Sequence, residues 1–202
     1  MANQISANPF ATRHTRPGAI PFLFAPGESA AACVARLEAN GWQGQIVGPH
    51  GSGKSTLLAA LRPALVAAGR NVFDIELHDG QRRLGFTLDE IPDLEPAGLL
   101  IVDGYEQLGW LGSRRLHHCC RRRGWGLLVT AHAPVGLPLL ASLAPSLDVA
   151  RRIVDALVAS DGPHVPEAEL ARLFTAHSGD IREVLFALYG LHESSVQSSC
   201  SA

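Results

Sequence analysis

The chain has 202 residues, 47% hydrophobic and 18% charged, with a formal net charge of −2. That is the composition of a globular protein able to bury a core, sized for one domain and a small appendage. So little net charge excludes a global pull toward nucleic acid or an anionic membrane, and leaves room only for a local one.

Residues 1–27 read as an irregular strap, with Pro9, Pro17, Pro21 and Pro26 spaced through it. The segment GESAAACVARLEANG predicts a helix with Ser29 as its cap, Cys33 and Leu37 on one face, and Gly41 at its end. GQIVG is a short apolar strand, and KSTLLAALRPALVAAG is helical with Pro63 as an expected kink. NVFDIEL alternates as a strand does, and LLIVD, Leu99 to Asp103, is the continuous apolar run of a strand buried on both faces. WLGSRRLHHCCRRRG predicts a helix and GLLVTAH another buried strand. Strands alternating with helices imply a parallel α/β sheet.

From Gly124 to Leu147 no Asp, Glu, Lys or Arg occurs, a length that would span a bilayer. Pro134, Pro138 and Pro145 break it and His132 lies inside, so a strand followed by a Pro-rich loop is expected, and no membrane span. After Pro145, SLDVARRIVDALVAS, PEAELARLFTAHSG and DIREVLFALYGLHE read as three short helices. Pro166 is expected at the first position of the second, and Asp180 with Glu183 has the spacing of a capping box on the third. The polar SSVQSSCSA predicts a disordered tail. The expected division is thus a strap over 1–27, a core over 28–145, a helical lid over 146–193 and a tail over 194–202.

Cys33, Cys119, Cys120 and Cys200 form neither a disulfide framework nor a CxxC metal clip, which fits a reducing cytoplasm. The start, MANQISANPF, has no basic region followed by an apolar stretch, so no secretory signal is expected.

Gly48 to Thr56 reads GPHGSGKST, and its first eight residues match G-x-x-x-x-G-K-[ST], the Walker A pattern. A strand precedes it and a helix follows. Glycines there let successive N–H groups turn inward around a phosphate, and the helix adds its positive N-terminal end. The cradle would comprise Gly48, His50, Gly51, Ser52, Gly53, Lys54, Ser55 and Thr56. Lys54 can reach the β- and γ-phosphates of a nucleotide, and Ser55 can offer its hydroxyl to Mg²⁺. A second metal anchor is required at the end of a neighbouring buried strand, where Asp103 stands as a Walker B acid. Glu106 is the nearest candidate for orienting an attacking water, with Gln107 behind it. The expected ligand is MgATP, and the expected fold a three-layer α/β/α P-loop core followed by the helical lid.

Over roughly residues 8–192 the chain resembles the AAA+ and STAND P-loop ATPases. VDGYEQ is similar to the apolar-D-G-x-D-E Walker B of STAND proteins, with Glu106 and Gln107 in the last two places. Hydrolysing P-loop enzymes usually put the acid directly after the Walker aspartate, where this chain has Gly104. The resemblance implies that Thr130, in LLVTAH, is the polar sensor residue of the following strand. It also implies that Arg182, in SGDIRE, is a lid arginine reaching the γ-phosphate. It places the adenine near the N-terminal segment, with Phe10 and Arg13 beside the base, while the residues themselves equally suit a strap on the sheet edge. By the same analogy Arg151 and Arg152 are placed to act as an arginine finger toward a neighbouring subunit of a homo-oligomer.

Two features resist absorption. LHDGQRR, Leu77 to Arg83, is similar to the signature of ABC transporter ATPases, but a strand leads straight into it where such enzymes carry a helical subdomain, so it reads as a loop. SRRLHHCCRRRG reads first as a helix with Leu116, Cys119 and Cys120 toward the core and arginines in water; contact with nucleic acid or a partner through Arg114–Arg123 is the less favoured reading. Adjacent helix residues diverge by about 100°, so His117, His118, Cys119 and Cys120 cannot converge on one metal ion. The favoured function is an ATP-hydrolysing switch that couples nucleotide state to an unidentified protein partner. A small-molecule kinase using Asp74 and Arg82–Arg83, and a nucleotide-binding adaptor without turnover, stay open.

Overall fold

The computed structural model of the chain describes residues 8–10, 20–78, 80, 88–158 and 164–200. It divides into two compact units: Phe24–Pro49 with Lys54–Leu143, and Met1–Leu23 with His50–Gly53 and Ala144–Ala202.

The larger unit is built on five parallel strands: β1 (Gln43–Val47), β2 (Asn71–Glu76), β3 (Gly98–Asp103), β4 (Gly126–Ala131) and β5 (Leu139–Ser142). Their order across the sheet is β2-β3-β4-β1-β5, and every pairing is parallel. Three helices flank the sheet: α1 (Ala30–Ala39), α2 (Lys54–Ala67) and α3 (Trp110–Arg123). Side chains alternate between the faces of a strand. Leu100 and Val102 of β3 and Leu127 and Val129 of β4 accordingly pack in one cluster with Leu116 and Cys120 of α3. The intervening Leu99, Ile101 and Leu128 are buried as well, so the central strands are covered on both faces. This is the expected α/β class, a parallel sheet between helical layers.

Local chemistry explains the helix ends. Ser29 accepts the Ala32 N–H at 3.1 Å and starts α1. Gly124, at φ 66°, closes α3 in the left-handed conformation that glycine adopts freely. Pro63 lies inside α2, which continues past it to Ala67. In α3 the buried thiol is Cys120, while Cys119 is only half-buried. The core-facing positions are thus Leu116 and Cys120, four apart, and the expected inward Cys119 is corrected. Burial pushes the Cys120 thiol up to about 12.

The Pro-rich segment after β4, expected to be a loop, contains the strand β5. Gln45 explains how β5 is held. Its side chain is 4% exposed, accepts the Val135 N–H at 2.7 Å and donates to the Leu137 carbonyl, while its own N–H donates to Pro138 O at 2.9 Å. One buried amide thereby fixes the 132–138 connection and delivers Leu139 to the edge of β1.

The second unit holds α4 (Leu147–Leu157), α5 (Glu167–Ala176) and α6 (Ile181–Cys200). Their core includes Ala150, Val154, Leu170, Leu173, Val184 and Leu188, with Phe10 buried among them at 2% exposure. Asn8 anchors this turn to α6 by donating to Tyr189 O at 3.2 Å and Glu193 Oε1 at 2.8 Å. Phe10 therefore belongs to the helical core, neither to a sheet edge nor to a surface open to a base; Arg13 lies outside the described residues. Pro166 stands one place earlier than expected, at the cap of α5. The helix α6 runs to Cys200, past the expected boundary at residue 193. Extending an existing helix into Ser and Gln is inexpensive, because nucleation has already been achieved upstream. Among the described residues no helix is long and apolar enough to cross a membrane.

Candidate functional site

In the larger unit the ends of β1, β3 and β4 bring several of the sequence-predicted residues to one edge of the sheet. β4 lies between β1 and β3, pairing Val47 with Ala131 and Val102 with Val129. The chain leaves β1 at Gly48, whose N–H donates to Ala131 O at 3.1 Å. It re-enters regular structure at Lys54, the first residue of α2, with Ser55 and Thr56 in the same first turn and no acid there to oppose a bound anion. Lys54 Nζ donates to Gly48 O at 2.7 Å and Pro49 O at 2.8 Å, which holds the ammonium over the start of the loop.

Asp103 ends β3. Its Oδ1 accepts the Thr130 hydroxyl at 2.5 Å, and the same Oγ1 accepts the Gly104 N–H at 2.9 Å. Thr130 is fully buried, so this strand-end threonine clamps the carboxylate from the neighbouring strand. Gly104 has φ 79°, and a Cβ placed on it would fall 2.5 Å from Leu77 O. No side chain fits at this position. The next acid, Glu106, stands on a 3-10 turn, Tyr105–Gln107, that begins directly after this glycine.

Glu106 is half-buried, and its Oε1 lies 3.2 Å from Nδ1 of His132, one residue past β4. Its Oε2 is buried with no hydrogen-bond partner among the described residues. The imidazole thus engages one oxygen of a carboxylate whose other oxygen is enclosed and without a partner among the described residues. His132 was not among the expected site residues; its place just after the strand-end threonine is the signal that could have found it. Gln107 accepts the Gly80 N–H at 3.3 Å. Asp74 forms an ion pair with Arg62 on an exposed surface, and Arg82–Arg83 lie outside the described residues.

In the second unit, Gly51 and Gly53 have φ of 65° and 90°. Both take the left-handed backbone that glycine adopts without a steric penalty. Ser52 Oγ, between them, is buried without a hydrogen-bond partner among the described residues. The Asp180 carboxylate packs directly on Gly51: a Cβ there would fall 1.8 Å from Oδ1. The same Oδ1 accepts the Glu183 N–H at 3.1 Å and caps α6, which is the backbone half of the expected capping box. Arg182 follows at the second position of α6 and is exposed. Arg151 is turned inward, donating to Val165 O at 2.9 Å, and Arg152 is exposed.

Within the larger unit, Lys54 and an α2 start without acids suit a phosphate, and the Ser55 hydroxyl and Asp103 carboxylate are oxygen donors of the kind Mg²⁺ takes. Among the described residues no cluster of three or more His, Cys, Asp or Glu side chains could hold a metal by itself. Mg²⁺ needs no such cage, since it takes one or two protein oxygens and completes its octahedron with phosphate and water.

No family model matches the sequence, and comparison with curated proteins found no match. Among solved structures the chain is similar to a Walker-type ATPase of Pyrococcus abyssi, at 10% identity and a TM-score of 0.46, over 89% of this chain and 75% of that one. So loose a likeness carries no argument about activity.

Proposed function

We propose that the protein is a MgATP-binding, ATP-hydrolysing P-loop switch of AAA+-like type that couples its nucleotide state to a protein partner. The observation that carries this reading is the joint placement of a complete Walker A sequence at the start of α2 and a threonine-clamped Asp103 two strands away. The backbone of Gly51 to Thr56 and the Lys54 ammonium would hold the phosphates; Ser55 and Asp103 would hold Mg²⁺. Bound MgATP supplies the transferable phosphoryl group and the metal charge that neutralises it.

The chain's own residues then have distinct tasks. Thr130 fixes Asp103 in one rotamer and is a positioning residue. Glu106 accepts a hydrogen bond from the attacking water, and His132 orients Glu106 by engaging its other oxygen. Arg182 supplies a long cationic side chain from the start of α6 and distinguishes ATP from ADP. Lys54→Ala is expected to abolish or severely weaken MgATP binding in calorimetry; wild-type affinity would reject the phosphate-loop assignment. Glu106→Gln is expected to retain ATP binding and to lose steady-state phosphate release.

One observation favours a second reading, the adaptor without turnover: Gly104 occupies the place where a hydrolytic acid is usual. Wild-type protein that binds MgATP yet releases no phosphate, with or without metabolite acceptors, would select it. Phosphate transfer to an acceptor would select the kinase.

A further inference from the structure

The helix α3 concentrates a charge that the rest of the chain lacks. Arg114, Arg115, Arg121, Arg122 and Arg123 lie on it, and no acid occurs from Leu108 to Leu147, although the whole chain carries −2. Burial of Leu116 and Cys120 fixes which face points inward. Arg114, Arg115, His118, Arg121 and Arg122 are therefore exposed together. Among the described residues no carboxylate forms an ion pair with Arg114, Arg115, Arg121 or Arg122. Helix positions four apart are separated by about 6 Å along the axis. Arg114, His118 and Arg122 form one such row, and Leu111, Arg115 and Cys119 the next.

A groove of about 620 Å³ runs along these rows, lined among the described residues by Leu88, Leu111, Arg114, Arg115, His118 and Arg122, with others. At the head of the first row stands Trp110, 68% exposed, with the Arg114 guanidinium 5.1 Å from its ring centroid. An exposed tryptophan in line with arginines suits an extended polyanion that carries flat rings along its length. The acidic face of a protein would match the charges and can bury a tryptophan as well, but it would have to present its carboxylates in a row. A nucleic-acid strand uses both, its phosphates on the cations and a base on the aromatic face. A single strand offers that base freely, whereas a duplex keeps its bases stacked.

We propose that α3 is a binding surface for single-stranded nucleic acid, with phosphates on the rows of Arg114, Arg115 and Arg122 and one base stacked on Trp110. The inference stands whether or not the chain hydrolyses ATP.

The test is fluorescence anisotropy of a labelled twenty-residue oligothymidylate with the full chain, titrated at several salt concentrations. Binding is expected to weaken as salt rises. The double variant Arg115→Glu, Arg122→Glu should bind at least about tenfold more weakly, with a log–log salt slope shallower by about 1.4, the loss of two phosphate contacts on a single strand. Trp110→Ala should lose about fivefold or more, as one missing stack requires, with the salt slope unchanged. Thermal melting and far-UV circular dichroism should show both variants folded as the wild type is. Absence of binding at 50 mM salt overturns the proposal, as does binding that survives the double charge reversal. Displacement of the strand by polyglutamate as readily as by unlabelled oligothymidylate would assign the surface to an acidic protein. A duplex of equal length that competes better than the single strand would overturn the stacking role.

Discussion

Two residues decide what the candidate site can be, and neither is in the Walker A motif. Thr130 gives Asp103 a fixed place, and Gly104 denies a side chain to the next position. Thr130→Val keeps the volume but removes both hydrogen bonds and orphans the half-buried Gly104 N–H, a loss of about 1 kcal/mol. The variant should melt at lower temperature and lose Mg²⁺-dependent phosphate release while keeping ADP affinity, and Thr130→Ser should restore both properties. A Thr130→Val enzyme with wild-type turnover would show that the clamp is unimportant. Gly104→Ala meets a left-handed φ, worth about 1–2 kcal/mol, and the Leu77 carbonyl as well. Its urea midpoint should fall, and Gly104→Glu should fall at least as far and not gain turnover. Backbone just past the end of β2 occupies the space beside residue 104, and the next acid in the chain is Glu106.

At the scale of elements, the sheet edge depends on one buried amide. Gln45→Leu should leave the Val135 N–H and the Leu137 carbonyl without their partner, at about 1–3 kcal/mol for each orphaned group. The expected readout is a lower urea midpoint together with faster amide exchange at Val135 and along 139–142. Unchanged exchange there would mean that β5 holds itself. A polar residue within a predicted apolar strand is a weak signal by sequence, since GQIVG reads equally well with Gln45 facing solvent. Cys120 against Cys119 poses a similar ambiguity. Only the angle at which α3 meets the sheet decides which of two adjacent thiols is buried.

At the scale of the whole molecule, the glycine-rich His50–Gly53 stretch shares a unit with the C-terminal helices. Asp180 both caps α6 and packs on Gly51, so a negative charge sits where a phosphate would be attracted. Asp180→Asn keeps a good cap and removes the charge. It is expected to bind ATP more tightly than wild type by calorimetry, with the melting temperature nearly unchanged; equal or weaker binding would show that the carboxylate does not oppose the ligand. Arg182→Ala should weaken ATP binding or turnover and leave ADP affinity nearly unaltered. The wild type should gain more thermal stability from a non-hydrolysable ATP analogue than from ADP, and the variant should lose that difference. If the difference persists, Arg182 is a surface residue and the lid reading loses its support.

The sequence by itself determined the features whose cause is local. The apolar runs LLIVD and GLLVTAH commit their residues to buried strands, Ser29 commits a helix start, and GPHGSGKST commits a glycine-rich loop between strand and helix, because each is set by chain stiffness, capping or periodicity within a few residues. Tertiary structure decided everything that depends on which strand lies beside which. The insertion of β4 between β1 and β3 puts Thr130 on Asp103 and His132 on Glu106, pairs separated by 27 and 26 positions in the chain. Anchoring of Asn8 to α6 takes Phe10 into the helical core, where its ring is buried and closed to a nucleotide base. These contacts are long-range, and no pattern of neighbouring residues encodes them. They follow from burying the largest apolar area that the elements can share.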